Sequence, residues 1–274
     1  MGVKCVYTNG FTPIPVKSFV FSGGEVQVQV EKFPEVEVFV QIEAHITSSN
    51  DVMELIMLVD ILRRNYGKGL VIKLLIPYLP YARQDRAMVR GEALGVRAFA
   101  NIINSLDFDA VTVWDVHSDV ALGVLNNSFN IPIENIITRD VIRDAVLVSP
   151  DAGSLKKVSK VAQTFGRKMI RADKTRSVVD GSITGTKVFG ESISASDKDF
   201  LIVDDICDGG RTFIELAKEL RKYIFNDDKI RLYVTHGIFS KGLDVFNGII
   251  DEVCCALPFP GVDLKHPLLK VVHG

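Results

Sequence analysis

Asp204, Asp205, Asp208, Gly209, Gly210, Arg211 and Thr212 crowd into "DDICDGGRT", directly after the apolar run "FLIV". The glycines let backbone N–H groups turn inward, and Thr212 adds a hydroxyl where a helix begins. That combination makes a phosphate cradle at a positive dipole end. Asp204 and Asp205 stand on the strand side of it. Carboxylates repel a bare phosphate and suit hydroxyls or a hydrated cation beside it. A sugar phosphate meets both demands. A helix N-cap with a solvated acidic turn needs only one aspartate.

Three other polar segments leave apolar runs, as ligand-binding residues do at the carboxyl ends of strands in an open α/β sheet. In "PYARQDR", Arg83 and Gln84 emerge straight after a strand pattern. A planar guanidinium there suits a polyphosphate or stacks on a base, although a surface ion pair among Arg83, Asp85 and Arg86 accounts for the segment taken alone. In "WDVHSD", His117 stands between Asp115 and Asp119. An isolated histidine is more often a structural donor; the aspartates shift the reading toward a metal-bound phosphate. In "SPDAGSLKK", Asp151 ends a strand and Gly153 loosens a loop, an ordinary turn signal that gains meaning only beside the others. Walker A, GxGxxG and G-x-S-x-G patterns do not occur.

Alternating strand and helix patterns position these segments. "VFVQIEA" reads as a strand. "SSNDVMELIMLVDILRRNYGKG" reads as a helix with Asn50 or Asp51 as N-cap and Gly67 as its end. "LVIKLLIPYLPYA" is a strand running into Pro77 and Pro80. "EALGVRAFANIINSL" carries a helical stripe at Leu94, Val96, Phe99, Ile102 and Ile103. "AVTVWDVHSD", "AVLVSPDAGSLKKVSKVAQTFG", "KDFLIVDDICDGGRTFIELAKELRKYI" and "IRLYVTHGIF" continue the alternation, with a stripe at Phe213, Leu216, Ala217, Leu220 and Ile224. The stretch from Asp173 to Ser196 reads as a polar, mobile loop. Strands alternating with helices imply parallel sheets covered by helices. The plan of strand, acidic end and helix occurs in both halves, which divides the chain into domains at 1–138 and 139–274.

Composition narrows the function class. The 274 residues are 47% hydrophobic with a formal charge of −2 and mixed signs, which carries no nucleic-acid or membrane footprint. Cys5, Cys207, Cys254 and Cys255 lack zinc or disulfide spacing. A reducing, cytoplasmic setting is expected, and no apolar stretch reaches the roughly 20 residues of a membrane span.

Taken in order, "FSGGE", "NDVMELIMLVDILRR", "PYARQDR", "DVHSD", "SPDAG", "VDDICDGGRT" and "VTHGIFS" resemble the motifs of the ribose-phosphate pyrophosphokinase (phosphoribosyl pyrophosphate synthetase) family, from about Phe21 to Pro260. The resemblance implies an α/β fold of two tandem type I phosphoribosyltransferase-like domains, each a mainly parallel sheet flanked by helices. It implies transfer of the β,γ-diphosphate of ATP to the 1-hydroxyl of ribose 5-phosphate, with Mg2+ as cofactor, in a homo-oligomer that is at least a dimer. By motif, Asp204 and Asp205 would take the ribose hydroxyls, and Asp208, Gly209, Gly210, Arg211 and Thr212 would surround the 5-phosphate. Arg83, Gln84 and Asp85 would contact ATP. His117 and Asp151 would serve Mg2+ and ATP. Phe21 and Glu25, reaching from a neighbouring subunit, would border the adenine. In "DKTR", Lys174 and Arg176 would be the catalytic basic pair, neutralising charge as the bridging oxygen leaves.

The resemblance has departures. Gly23 stands where the family has aspartate, which relaxes the expected preference for ATP. Ser154 and Lys157 replace glycine and arginine, and Gly209 replaces threonine. The ending "HPLLKVVHG" and a short segment after "YARQDR" imply weak or absent ADP allostery. Two rivals stand beside this reading. A phosphoribosyltransferase would share the Asp204–Thr212 loop but has no use for "PYARQDR" or "DVHSD". A non-catalytic regulatory relative would have lost the basic pair or the metal contacts, and Lys174, Arg176, His117 and Asp151 are all present.

Overall fold

A computed structural model describes residues 3–8, 12–36, 38–176, 183–189 and 193–272, with side chains described for all of these except 3–5, 174–176 and 183–186. The chain divides into two compact units, Met1–Ile131 and Pro132–Gly274.

The first unit holds β1 (Val3–Thr8), β2 (Thr12–Pro13), β3 (Val16–Val20), β4 (Val26–Val30), β5 (Val40–Ala44), α1 (Ser49–Tyr66), β6 (Ile72–Leu75), α2 (Gly95–Ser105), β7 (Ala110–Trp114), α3 (Asp119–Val124) and β8 (Ser128–Ile131). Its six-stranded sheet runs β2-β1-β5-β6-β7-β8, with β5 to β8 parallel and β1 antiparallel to β5. β3 and β4 form a separate antiparallel hairpin. On β4, Val26, Val28 and Val30 are buried while Gln27 and Gln29 face water, the alternation of a strand covered on one side. The α1 N-terminus differs from expectation. Ser48 is the N-cap, and its hydroxyl accepts from Asp51 N–H while Asp51 accepts from the Ser48 N–H, a reciprocal capping box. Gly67 ends the helix at φ 95°. On α2, Val96, Phe99 and Ile103 are buried but Ile102 is 39% exposed, because it lies one position off the buried stripe.

The second unit holds α4 (Arg139–Ile142), β9 (Val146–Ser149), α5 (Leu155–Phe165), β10 (Met169–Arg176), β11 (Ile183–Val188), β12 (Asp199–Cys207), α6 (Arg211–Leu220), β13 (Lys229–Gly237), β14 (Glu252–Pro258) and β15 (Leu269–Val271). The seven-stranded sheet runs β11-β10-β9-β12-β13-β14-β15 and is parallel except for β11. The α6 stripe Phe213, Leu216, Ala217 and Leu220 is buried against Phe200, Ile202 and Val234. The mobile loop expected from Asp173 to Ser196 is in part a β-ribbon. β10 continues to Arg176 and pairs with β11, setting Asp173 opposite Lys187 and Lys174 opposite Thr186. The β-branched Ile183, Thr184, Thr186 and Val188 favour that extended pairing. Cys207, Cys254 and Cys255 are buried free thiols, each pushed up to about 12 chiefly by burial. No helix among the described residues is long and apolar enough to cross a membrane.

Candidate active site

Strand order locates a crevice in the second unit. The chain leaves β9 through α5 to reach β10 on one side, and leaves β12 through α6 to reach β13 on the other. Ligands bind at such a reversal point, outside the carboxyl ends of the two strands. Asp151 follows β9, and Asp204 and Asp205 lie near the end of β12. A loop carboxylate and two strand carboxylates therefore gather there.

The strand does not stop at the acidic pair but carries it, running on to Cys207. Alternation launches Asp204 and Asp205 from opposite faces. Asp204 Oδ1 turns back to accept the Asp205 N–H at 3.0 Å. Asp205 is 5% exposed, and its Oδ2 lies 3.4 Å from Lys157 Nζ on α5. Burial, followed by the negative charges of Asp205 and Asp151, pushes Asp204 well above the usual carboxylate range. The group is built to receive hydroxyl donors or positive charge.

Beyond it the chain turns through Gly210 at φ 77° into α6, which has no side-chain cap and no acidic residue in its first turn. Its leading N–H groups are thus left for an incoming anion. Gly210 meets two demands at once. A Cβ there would lie 2.6 Å from Phe246 Cζ, and the positive φ is strained for other residues. Gly209 is different: a Cβ would come no nearer than 3.6 Å, to Lys241 Cγ. Asp208 is tied to the loop after β13, with its Oδ1 accepting the Ser240 hydroxyl at 2.6 Å and its carbonyl accepting the Ser240 N–H at 3.1 Å. Thr212 is half-buried in the first turn of α6. Arg211 is engaged along the helix. It is exposed, and its Nε donates to Glu215 one turn along the helix at 2.6 Å.

The loop after β9 is knitted by its own polar groups. Asp151 Oδ1 accepts the Gly153 N–H at 3.0 Å and the Ser154 N–H at 3.2 Å. The Ser149 and Ser154 hydroxyls, 2.8 Å apart, both donate toward the Asp151 carbonyl. Ser154, where glycine was the expected residue, is 5% exposed and serves as the hub of the loop. Among the described residues, no set of three or more His, Cys, Asp or Glu is arranged to hold a metal ion by itself. The donors at this crevice are carboxylate oxygens, which fit Mg2+: that ion takes one or two carboxylates and fills its shell with phosphate oxygens and water.

In the first unit, "PYARQDR" follows β6 and "DVHSD" follows β7, its parallel neighbour. Asp85 and His117 come together at those strand ends. The Asp85 carboxylate is held at about 2, first by the hydrogen bond from Arg86, then by Ser118 and the nearby charges of Arg86 and His117. Arg86 grips it with Nε at 2.9 Å and Nη2 at 3.3 Å. The Ser118 hydroxyl also accepts the Val120 N–H, capping α3. Arg83, Gln84 and His117 are exposed. Gln84 lies over the start of α2, where a Cβ on Gly95 would meet its Oε1 at 2.0 Å. Phe21 and Glu25 flank the tip of the β3–β4 hairpin, closed by the Phe21 N–H to Glu25 carbonyl bond at 2.8 Å. Phe19, Val20 and Phe21 stand about half exposed there. A Cβ on Gly23 would meet the flexible end of Glu25 at 2.9 Å.

Lys174 and Arg176 lie on β10, but their side chains fall outside the described set. Sequence reasoning assigned no role to Lys157, Ser118, Ser240 or Phe246. Lys157 alone left a signal: it sits on the inward stripe of α5 with Val158, Val161 and Ala162.

Comparison with known proteins adds the relationship. Residues 4–106 match the profile of the N-terminal domain of ribose phosphate pyrophosphokinase, and residues 132–247 match the phosphoribosyl transferase domain. The chain is 30% identical over 272 residues to the ribose-phosphate pyrophosphokinase of Mycoplasmopsis pulmonis, covering 94% of this chain and 81% of that one. It is 31% identical over 237 residues to the ribose-phosphate pyrophosphokinase of Pyrococcus abyssi, covering 80% and 79%. The crystal structure of phosphoribosylpyrophosphate synthetase from Mycobacterium smegmatis superposes with a TM-score of 0.76 at 22% identity, covering 95% of this chain and 86% of that one, and so shares its fold. Two phosphoribosyltransferase-type α/β domains in tandem, matched along nearly their whole length by these relatives, place the chain in the ribose-phosphate pyrophosphokinase family.

Proposed function

We propose that the protein transfers the β,γ-diphosphate of ATP to the 1-hydroxyl of ribose 5-phosphate, giving phosphoribosyl pyrophosphate and AMP. The observation that carries this reading is the reversal point outside the carboxyl ends of β9 and β12, where an acidic pair adjoins an uncapped helix start entered through Gly210. Asp204 and Asp205 receive ribose hydroxyls, and the Asp208–Thr212 turn receives the 5-phosphate through backbone N–H groups. The same crevice would suit a phosphoribosyltransferase. The first unit, with its match to the pyrophosphokinase N-terminal domain, favours the diphosphokinase.

In this reading the ribose 1-oxygen attacks the β-phosphorus, the bond from that phosphorus to the oxygen bridging toward the α-phosphate breaks, and AMP leaves with that oxygen. The hydroxyl proton passes to solvent. Arg83 and Gln84 contact the nucleotide, and Phe21 and Glu25, from a second copy of the chain, border the base. Asp85, gripped by Arg86 and Ser118, holds the segment in place. Lys174 and Arg176 bring positive charge to the leaving oxygen. In the second unit, Asp151 would hold Mg2+ together with phosphate oxygens and water, and the ion would neutralise charge on the diphosphate being moved. In the first unit, His117 would serve the Mg2+-bound nucleotide.

The test is to mix the protein with Mg2+, ATP and ribose 5-phosphate and identify the products. AMP with phosphoribosyl pyrophosphate is expected. ADP would indicate an ordinary kinase, and absence of turnover a regulatory relative. Lys174→Ala is expected to lower the rate by about 10²–10³ while leaving ribose 5-phosphate binding intact.

A further inference from the structure

We infer that Lys157 is a positioning residue of the ribose 5-phosphate site, pairing with the Asp205 carboxylate and holding it aimed for a ribose hydroxyl. The inference rests on the sugar-phosphate reading of the crevice. It assigns a role to a residue that the sequence offered only as a replaced arginine.

Lys157 stands in the first turn of α5, a helix whose Val158 and Val161 are fully buried and whose Ala162 is nearly so. Residues 157 and 161 are one turn apart and share a face. A lysine is thus built into the stripe that packs on the sheet, where an ammonium needs an anion to be tolerated. Asp205 is that anion. The Nζ to Oδ2 distance is 3.4 Å, and the two side chains are 27% and 7% exposed. Water screens such a pair far less than one on the surface.

Asp205 also needs the lysine. It neighbours Asp204, which in turn feels the charge of Asp151. Neighbouring carboxylates repel one another, and a nearby cation offsets that repulsion. Lys157 supplies that cation from the α5 side. Its own position is set by the loop it follows: the Val158 N–H donates to the Ser154 carbonyl at 3.0 Å, and Ser154 is fastened to Asp151 and Ser149. The loop after β9 and the acidic pair on β12 are thereby joined through one side chain. A cation on a four-carbon stem reaches Asp205 as a point charge, so arginine is expected to substitute with only modest loss.

The experiment is calorimetric titration of ribose 5-phosphate into wild type, Lys157→Met, Lys157→Gln, Lys157→Arg, Asp205→Asn and the Lys157→Met/Asp205→Asn double variant, with steady-state kinetics alongside. Lys157→Met is expected to weaken ribose 5-phosphate binding about tenfold or more. KM for ribose 5-phosphate should rise while KM for ATP stays. Lys157→Arg should recover most of the affinity, and in the Asp205→Asn background Lys157→Met should add little. Unchanged affinity in Lys157→Met, or the same further loss in the Asp205→Asn background, overturns the inference. If Lys157→Met does not fold, Lys157→Gln against Lys157→Arg makes the same decision. A wild type that binds ribose 5-phosphate without turnover defeats the diphosphokinase reading, yet the binding series still decides the role of Lys157. A wild type that binds none overturns both.

Discussion

The ring edge of Phe246 closes the space above Gly210: a Cβ added there would lie 2.6 Å from Phe246 Cζ and 3.0 Å from Cε1. Phe246 is 1% exposed, so it cannot swing aside into solvent. Gly209, one residue earlier, has ordinary van der Waals space. The two glycines of the "DGGRT" turn therefore differ in kind. Gly210→Ala is expected to lose ribose 5-phosphate binding and lower the melting temperature. Gly209→Ala and Gly209→Thr should retain binding within a few-fold. Thermal melts and ribose 5-phosphate titrations on the three variants check this; equal losses at both positions would contradict it.

Ser154→Ala removes the hydroxyl that meets Ser149 Oγ at 2.8 Å and the Asp151 carbonyl at 3.0 Å. The site is buried, so the change should cost about 1–2 kcal/mol, read from the urea midpoint. Ser154→Gly restores the residue expected from the resemblance but removes the same hydroxyl and adds backbone freedom. It should be at least as destabilising. A more stable Ser154→Gly would show that the hub is dispensable.

Much of this was legible in the sequence because it rests on periodicity and local chemistry. The α6 stripe from Phe213 to Leu220 and the Gly67 stop follow from side-chain spacing and backbone conformation alone. What was not legible depends on distant partners. Nothing near Gly210 announces Phe246, and nothing near Asp208 announces Ser240, 32 residues away. The Arg211–Glu215 pair, one helical turn apart, was by contrast open to an i,i+4 reading. The β10–β11 ribbon was missed because its polar residues resemble a loop until the partner strand supplies the register.

Asp85 makes a prediction in acid. Its carboxylate is depressed from an ordinary 3.8 to about 2 by Arg86, Ser118 and His117. A depressed carboxylate contributes stability in full above its unfolded value and loses it as pH falls through the folded one. The contribution is therefore present above about pH 4 and fades toward pH 2. Asp85→Asn should lower stability at neutral pH and flatten the loss between pH 4 and 2, followed by urea midpoints at each pH. A parallel offset at every pH would rule out this carboxylate as the source.

Arg231 is the largest of the fully buried side chains, 2% exposed, and it spans elements that are distant in sequence. Its Nε and Nη2 grip both Asp199 oxygens at 2.7 and 2.6 Å, and Nη1 donates to the Val141 carbonyl at 2.6 Å. It thus fastens the start of β12 and the end of α4 to β13, at the amino ends of the strands, opposite the acidic pair. Removing one partner of a buried ion pair strands the other. Arg231→Met should therefore cost about 3–5 kcal/mol. Asp199→Asn relieves the stranded charge, so the Arg231→Met/Asp199→Asn double variant should be more stable than Arg231→Met alone. That non-additivity, measured by chemical denaturation, separates a true pair from a simple packing role, which would leave the two losses to add.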